Sequence, residues 1–108
     1  MATRKLTKNE WAHFFDQYSK RVLMSKNGQY ADLQLLSGLS GNVKETDWLK
    51  LQGITYDEKG DLLEILLEDL DHMISHPDQI FIDENAQGDI VSMQIVEKDG
   101  TKHILEAK

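Results

Sequence analysis

Cysteine is absent from the sequence, and proline occurs once, at Pro77. Without cysteine, disulfide bonds, thiolate catalysis and the cysteine-ligated zinc and iron–sulfur sites are excluded. Long apolar runs are also missing, because none approaches the roughly 18 residues of a membrane span. Residues 1–6 lack the apolar core of a signal peptide. We therefore expect a cytoplasmic protein without a membrane partner.

Basic residues are scarce beyond the N-terminal segment. The 108 residues carry a net charge of −7, with +4 in residues 1–26 and −11 in residues 27–108. Residues 57–89 contain eleven acidic side chains and a single basic one, Lys59. Nucleic-acid binding is disfavoured, since a phosphate backbone requires a basic footprint. A charge run of this kind is usually a solvated face, and the alternative is an acidic surface that binds a basic protein partner.

The N-terminal segment has the pattern of an amphipathic helix. Thr7 and Glu10 have the spacing of a capping box, and Leu6 and Trp11 have that of a hydrophobic staple. Apolar side chains then recur at helical spacing on one face: Trp11, Phe14, Phe15, Tyr18 and Val22. This pattern predicts a helix from about residue 8 to residue 25.

The remaining chain alternates apolar and polar residues in short runs that are separated by turns. Residues 31–35, 49–51 and 63–67 show the period of half-buried strands. Further strands are expected at 80–83, 90–96 and 101–105. Residues 43–56 are expected to form one long or broken strand, in which Gly53 predicts a bulge or bend. Trp48 is expected to pack in the core or under the helix.

These patterns predict an α+β fold. One N-terminal amphipathic helix packs on a curved antiparallel sheet of about six strands, and a barrel-like closed sheet is the alternative. The whole chain, 1–108, is expected to form a single domain. Residues 1–26 supply the basic helix, and residues 29–108 supply an acidic β-meander with a short helical turn near 70–76.

That helical turn carries the candidate site. His72 and His76 are four residues apart and would share one helical face, with Asp71 as an added carboxylate. These three residues are therefore candidate metal or small-molecule ligands, although zinc sites use three or four protein ligands. Asp71 and His72 with Ser75 could instead form a small catalytic site, but no motif assigns them roles.

Other ligand motifs are missing from the sequence. No glycine-rich phosphate loop is present, and residues 83–88 match only part of a calcium-loop template. We expect no cofactor.

Apolar residues lie on both faces of the predicted strands. Leu62 and Leu66 alternate with Leu63 and Ile65, so one sheet face would leave apolar side chains exposed. A homodimer or a rolled, barrel-like sheet would cover them. The mutation Leu66→Lys is expected to split a dimer that uses this face.

Three stretches of the sequence resemble one protein family. They are residues 2–11, 48–57 and 70–77, including the pairs Glu10-Trp11 and Asp71-His72. On these residues the chain resembles the short bacterial proteins grouped as domain-of-unknown-function family 5335, over nearly its full length. The resemblance implies a bacterial, cytoplasmic protein and implies no activity or catalytic residue.

The hypothesis that the sequence favours is a non-catalytic protein-interaction module with an acidic surface. The alternatives are a small-molecule or metal-binding domain centred on Asp71, His72 and His76, and a small enzyme that uses the same segment. Because no catalytic motif is present, we expect a binding protein rather than an enzyme.

Overall fold

The computed structural model describes residues 2–24, 29–37, 41–44 and 48–108. In this part of the chain, a short strand precedes one helix, and eight strands follow it. The elements are β1 Ala2–Leu6, a 3-10 turn Lys8–Glu10, α1 Trp11–Met24, β2 Gln29–Ser37, β3 Gly41–Lys44, β4 Leu49–Asp57, β5 Leu62–Leu67, β6 Leu70–Ser75, β7 Pro77–Glu84, β8 Ile90–Glu97 and β9 Lys102–Ala107.

These strands form one antiparallel sheet. Eight follow the order β1-β7-β8-β9-β2-β4-β5-β6, and β3 pairs with the second half of β2. Two three-stranded meanders, β4–β5–β6 and β7–β8–β9, lie on either side of β2, which pairs with both β4 and β9. The two ends of the order, β1 and β6, are edges, so the sheet is not closed.

The helical segment begins where the sequence predicts, with the 3-10 turn at Lys8, and α1 itself begins at Trp11. The Thr7 backbone N–H donates to the Glu10 carboxylate at 3.0 Å, which forms the capping box. The Trp11 indole N–H donates to the Leu6 carbonyl at 3.3 Å. The helix packs chiefly against β4, where the Trp11 and Tyr56 rings meet edge to face at 5.1 Å. The predicted apolar face is confirmed: Trp11, Phe15, Tyr18 and Val22 are buried, and Phe14 is partly buried.

A bulge in β4 lets the helix approach closely. The register between β4 and β5 shifts between Leu51 and Gly53, which confirms the bulge predicted at Gly53. The Ser19 hydroxyl donates to the Ile54 carbonyl at 2.7 Å and accepts the Ile54 N–H at 2.8 Å. A Cβ at Gly53 would lie 3.3 Å from Ser19 Oγ. Glycine therefore gives the helix room to satisfy the backbone next to the bulge.

The sheet curls so that distant strands meet on its inner face. His72 on edge strand β6 contacts His103 on β9, although three strands lie between these two in the sheet order. The core fills the inside of this curve. Its members on the strands are mostly aliphatic: Leu6, Ala31, Leu33, Leu51, Ile54, Leu63, Ile65, Leu67, Ile74, Ile80, Ile82, Ile90, Met93, Ile95, Leu105 and Ala107.

Several expectations are wrong at the level of single elements. Within the described residues the sheet has nine strands rather than about six. Residues 2–6 form strand β1 and pair with β7, so the helix does not account for all of the N-terminal segment. Residues 70–75 form strand β6 instead of a helical turn, because Leu70 and Ile74 turn inward while β5 offers a pairing partner.

Two further expectations concern single residues. Trp48 is half-buried rather than part of the core, and the Lys108 ammonium lies 4.0 Å from the centre of its ring. The helix is described as far as Met24, and residue 25, its predicted end, lies outside the described residues.

Candidate functional site

The three predicted site residues lie in three different environments. Strand β6 exposes Asp71 on its outer face and turns His72 toward the inner face. His76 follows the strand, at the junction with β7, where it contacts Asp61. Because neighbouring residues of a strand point to opposite faces, Asp71 and His72 do not converge. The shared helical face that was predicted for His72 and His76 does not exist.

His72 belongs to a hydrogen-bonded chain of side chains. Its Nε2 lies 2.9 Å from Nδ1 of His103, and Nε2 of His103 lies 2.6 Å from Glu97 Oε2. His103 is only 4% exposed, and the Glu97 side chain is 23% exposed. If a neutral His103 ring donates its Nε2–H to Glu97, its Nδ1 accepts the Nε2–H of His72. This series of hydrogen-bonded side chains links β6 to β9 and to the end of β8.

A second polar cluster, here called the corner, lies where β6 meets β7. His76 donates its backbone N–H to the Asp61 carbonyl at 2.8 Å, and its Nδ1 lies 3.2 Å from Asp61 Oδ2. Both residues have left-handed backbones, with φ of 55° at His76 and 51° at Asp61. Aspartate and histidine tolerate this conformation better than most residues, and such backbones cluster at functional sites.

Side chains from several parts of the chain contact the Asp61 carboxylate. The Tyr56 hydroxyl donates to Oδ1 at 2.7 Å, while the Lys8 and Lys98 ammonium groups lie 3.6 and 3.9 Å from the carboxylate. The hydrogen bond from Tyr56, followed by the hydrogen bond with His76 and the positive charges of Lys8 and Lys98, lowers the pKa of Asp61. Burial, followed by the hydrogen bond to Asp61, raises the pKa of Tyr56 to about 12. Hydrogen bonds and ion pairs to the Asp61 carboxylate therefore hold several turns together at the corner.

An open groove adjoins the corner. Its volume is about 370 Å³, and Lys8, Asn9, Tyr56 and Glu58 line it. The exposed ring of His76, with 66% of its side chain accessible, is hydrogen-bonded to Asp61 close to this groove. The groove is large enough to receive a small polar molecule.

The outer face of β5 and β6 brings two carboxylates together. Glu64 and Asp71 are diagonal neighbours on this face, because Asp71 pairs with Leu66 and Met73 pairs with Glu64. The interaction with Asp71, followed by burial, raises the pKa of Glu64. Leu62 and Leu66 lie half-buried on the same face, and Met73 is 52% exposed. We call these five residues the outer patch. It combines concentrated negative charge with apolar surface.

Strand β6 also offers an open edge beside the outer patch. Within the described residues it pairs with β5 alone. The hairpin closes on Leu67 and Leu70 across a two-residue turn. The two residues that flank such a turn exchange backbone hydrogen bonds. Along the rest of the hairpin, hydrogen-bonded pairs alternate with non-hydrogen-bonded pairs. The backbone groups of Asp71, Met73 and Ser75 therefore point away from β5, toward the open edge.

Metal ligation finds little support in the described residues. Across residues 2–24, 29–37, 41–44 and 48–108, no group of three or more histidine, aspartate or glutamate side chains is placed to hold a metal ion. His72 and His103 with Glu97 form a hydrogen-bonded chain whose geometry needs no ion. In the same part of the chain, no helix is both long and apolar enough to cross a membrane.

The residues that surround the predicted histidines cannot be identified from the sequence near β6. His103, Glu97 and Asp61 are distant from β6 in sequence, and only strand pairing brings them close. One local signal for His72 was available, because it alternates with Leu70 and Ile74 as an inward-facing strand residue does.

The fold defines a single-sheet α+β protein with one packed helix. The chain belongs to a family of unknown function, DUF5335, whose model matches residues 2–108. It is similar to an uncharacterised protein of Aquifex aeolicus (strain VF5), with 33% identity over 109 residues that cover 100% of this chain and 94% of that protein. No solved structure matches it. The family resemblance seen in the sequence is thus confirmed, and it assigns no activity.

Proposed function

We propose that this protein is a non-catalytic interaction module whose outer patch binds a basic segment of a partner protein. The observation that carries the proposal is the placement of the carboxylates Glu64 and Asp71 as diagonal neighbours on the outer face of β5 and β6, where the pKa of Glu64 is raised chiefly by Asp71. Two carboxylates held this close repel each other when both are ionised. A lysine or arginine side chain placed over them relieves that repulsion, so the pair favours a cationic partner.

The surroundings of the pair support the same proposal. Leu62, Leu66 and Met73 give the outer patch apolar surface that an aliphatic lysine or arginine stem can cover. Glu68 and Asp69, in the adjoining turn, are exposed and extend the negative charge. Charge complementarity of this kind accelerates encounter and selects among partners.

Binding of a fluorescently labelled oligolysine tests the proposal. Fluorescence anisotropy compares the unmodified protein with the double variant Glu64→Gln/Asp71→Asn at salt concentrations of about 20 and 200 mM. We expect the double variant to bind about tenfold more weakly at low salt, because two attractive charges are removed. The difference should shrink at high salt.

A variant of equal net charge provides the control. Asp16→Asn/Glu106→Gln removes two exposed carboxylates, one on α1 and one on β9, away from the outer patch. The proposal requires this control to bind nearly as tightly as the unmodified protein. Equal weakening in both double variants would mean that oligolysine responds to overall charge, and it would overturn the proposal.

A small-ligand site at the corner is the second candidate function. The specific observation in its favour is that two lysine ammonium groups, Lys8 and Lys98, converge on Asp61 beside the exposed His76 ring. Small anions such as inorganic phosphate suit converging cations. A phosphate titration followed by the NMR signals of the His76 ring tests this candidate. Unshifted signals at millimolar phosphate would remove it.

A further inference from the structure

We infer that the basic partner binds as an extended strand added to the open edge of β6. This inference rests on the proposed function and specifies how the partner docks. Strand addition uses the backbone groups of a sheet edge for affinity and alternate side chains for specificity. Strand β6 provides both features, the backbone groups of a sheet edge and the alternate side chains.

The backbone of β6 supplies the hydrogen-bonding groups of the edge. The N–H and C=O groups of Asp71, Met73 and Ser75 point away from β5, by the alternation of the β5–β6 ladder. These residues are exposed, whereas Ile74 is buried and Leu70 partly buried on the inner face. An incoming strand can therefore form a ladder on this edge without displacing any described strand.

The central residue of the edge is apolar and exposed. Met73 is 52% exposed, one of two large apolar side chains that are exposed among the described residues. Sheet edges in stable monomers are usually protected by charge, proline or a bulge. Met73 gives no such protection at the middle of β6. An added strand would cover it.

The negative charge of the outer patch determines which kind of strand can pair with the edge of β6. The side chains next to the edge on the outer face are Asp71 and, one strand further, Glu64. A second copy that paired β6 with β6 would bring two outer patches of the same sign together. A strand with lysine or arginine on the outer side instead meets opposite charge. On its inner side it would carry apolar residues that continue the face of Leu70 and Ile74.

The probe is a labelled peptide of about eight residues in which lysine and valine alternate, a length that matches ordinary strands. A second peptide has the same sequence with every alternate backbone amide N-methylated, so that one edge cannot donate hydrogen bonds. Anisotropy measures both affinities. We expect the N-methylated peptide to bind at least about tenfold more weakly, since several backbone hydrogen bonds are lost.

A protein variant tests the same contact from the other side. Met73→Pro removes an N–H that points toward the open edge and is not used in pairing with β5. We expect about a tenfold loss of affinity for the alternating peptide, while Met73→Ala retains the backbone donor and loses less. If Met73→Pro fails to fold by circular dichroism, the N-methylated peptide decides the question alone.

The variants separate this inference from the proposed function. Full binding by the N-methylated peptide, with weak binding by Glu64→Gln/Asp71→Asn, overturns strand addition and retains the acidic interaction module. Insensitivity to both changes overturns both proposals. Native mass spectrometry tests the remaining possible occupant of this edge, a second copy of the protein. A dimer that Met73→Pro or Leu66→Lys converts to a monomer would show that a second copy occupies this face, and it would contradict the inferred basic strand.

Discussion

His72 and His103 are 31 residues apart in sequence, yet their ring nitrogens Nε2 and Nδ1 lie 2.9 Å apart on the inner face of the sheet. The contact ties edge strand β6 to β9 across the curve of the sheet. Glu97 Oε2 lies 2.6 Å from the other ring nitrogen of His103, which extends the contact to the end of β8. The same strand, β6, presents Asp71 and Met73 on its outer side. The inner contact therefore holds in place the surface that we propose as the binding site.

The histidine contact should be visible as a coupling energy. His103→Ala removes a buried side chain and two hydrogen-bond partners, and we expect a loss of about 3 kcal/mol in the free energy of unfolding. His72→Ala should cost about 1.5 kcal/mol. Urea denaturation of both single variants and the double variant gives the interaction between them. We expect a coupling of about 1 kcal/mol.

The control for this cycle is His13→Ala, because His13 is an exposed residue on α1. It should change stability by less than about 0.5 kcal/mol. Strict additivity of the His72 and His103 variants would contradict a direct contact between the rings.

Acid stability should depend on Asp61. Its pKa is lowered in the folded state, chiefly by the hydrogen bond from Tyr56. The group therefore stabilises the fold above its unfolded pKa of about 4, and this contribution is lost as the pH falls through the folded pKa. We expect Asp61→Asn to cost about 1 kcal/mol at pH 7 and progressively less below pH 4. Urea titrations at a series of pH values measure the difference, and a pH-independent loss would contradict the account.

Tyr56 gives the corresponding prediction at alkaline pH. Its pKa is raised from 10.0 to about 12, first by burial and then by the hydrogen bond to Asp61. The neutral hydroxyl thus contributes stability below pH 10, which is lost as the pH rises from 10 to 12. Tyrosinate absorbance should show a step near pH 12 that Tyr56→Phe removes. If Tyr56→Phe instead removes a step near pH 10, the buried hydrogen bond is absent in solution.

The carboxylate pair of the outer patch should lower stability at neutral pH. The pKa of Glu64 is raised in the folded state, so its favourable contribution is complete below the unfolded pKa and is lost as the pH rises through the folded pKa. We expect Glu64→Gln to stabilise the protein at pH 7 by up to about 0.5 kcal/mol, a small value because the pair is partly solvated. The gain should vanish in acid. The control Glu106→Gln should show no such pH dependence.

Local sequence signals predicted the helix and the main hairpins well. Thr7 and Glu10 determine where the helical segment begins through contacts within one turn, and the apolar face of α1 follows from spacing alone. Gly53 marked the bulge because a residue without a side chain permits close approach of Ser19. Each of these features depends on residues that are close in sequence or on one conformational preference.

Features that depend on distant pairing were missed. Strand β1 pairs with β7 across about 80 residues, and its basic residues give no strand signal of their own. The sequence predicts a helical turn near residues 70–76, whereas Leu70, His72 and Ile74 alternate as the inward-facing residues of strand β6. Asp71 and His72 lie on opposite faces of β6, since a strand sends neighbouring side chains to opposite faces.

The central claim is that the outer patch, rather than overall charge, binds a basic segment. Two-dimensional NMR of the isotope-labelled protein, titrated with oligolysine, tests it most directly. The account predicts that amide shifts concentrate on β5 and β6 around Glu64, Asp71 and Met73, and that Glu64→Gln/Asp71→Asn abolishes them. Shifts spread evenly over the acidic residues, or centred on the corner at Asp61, would contradict it.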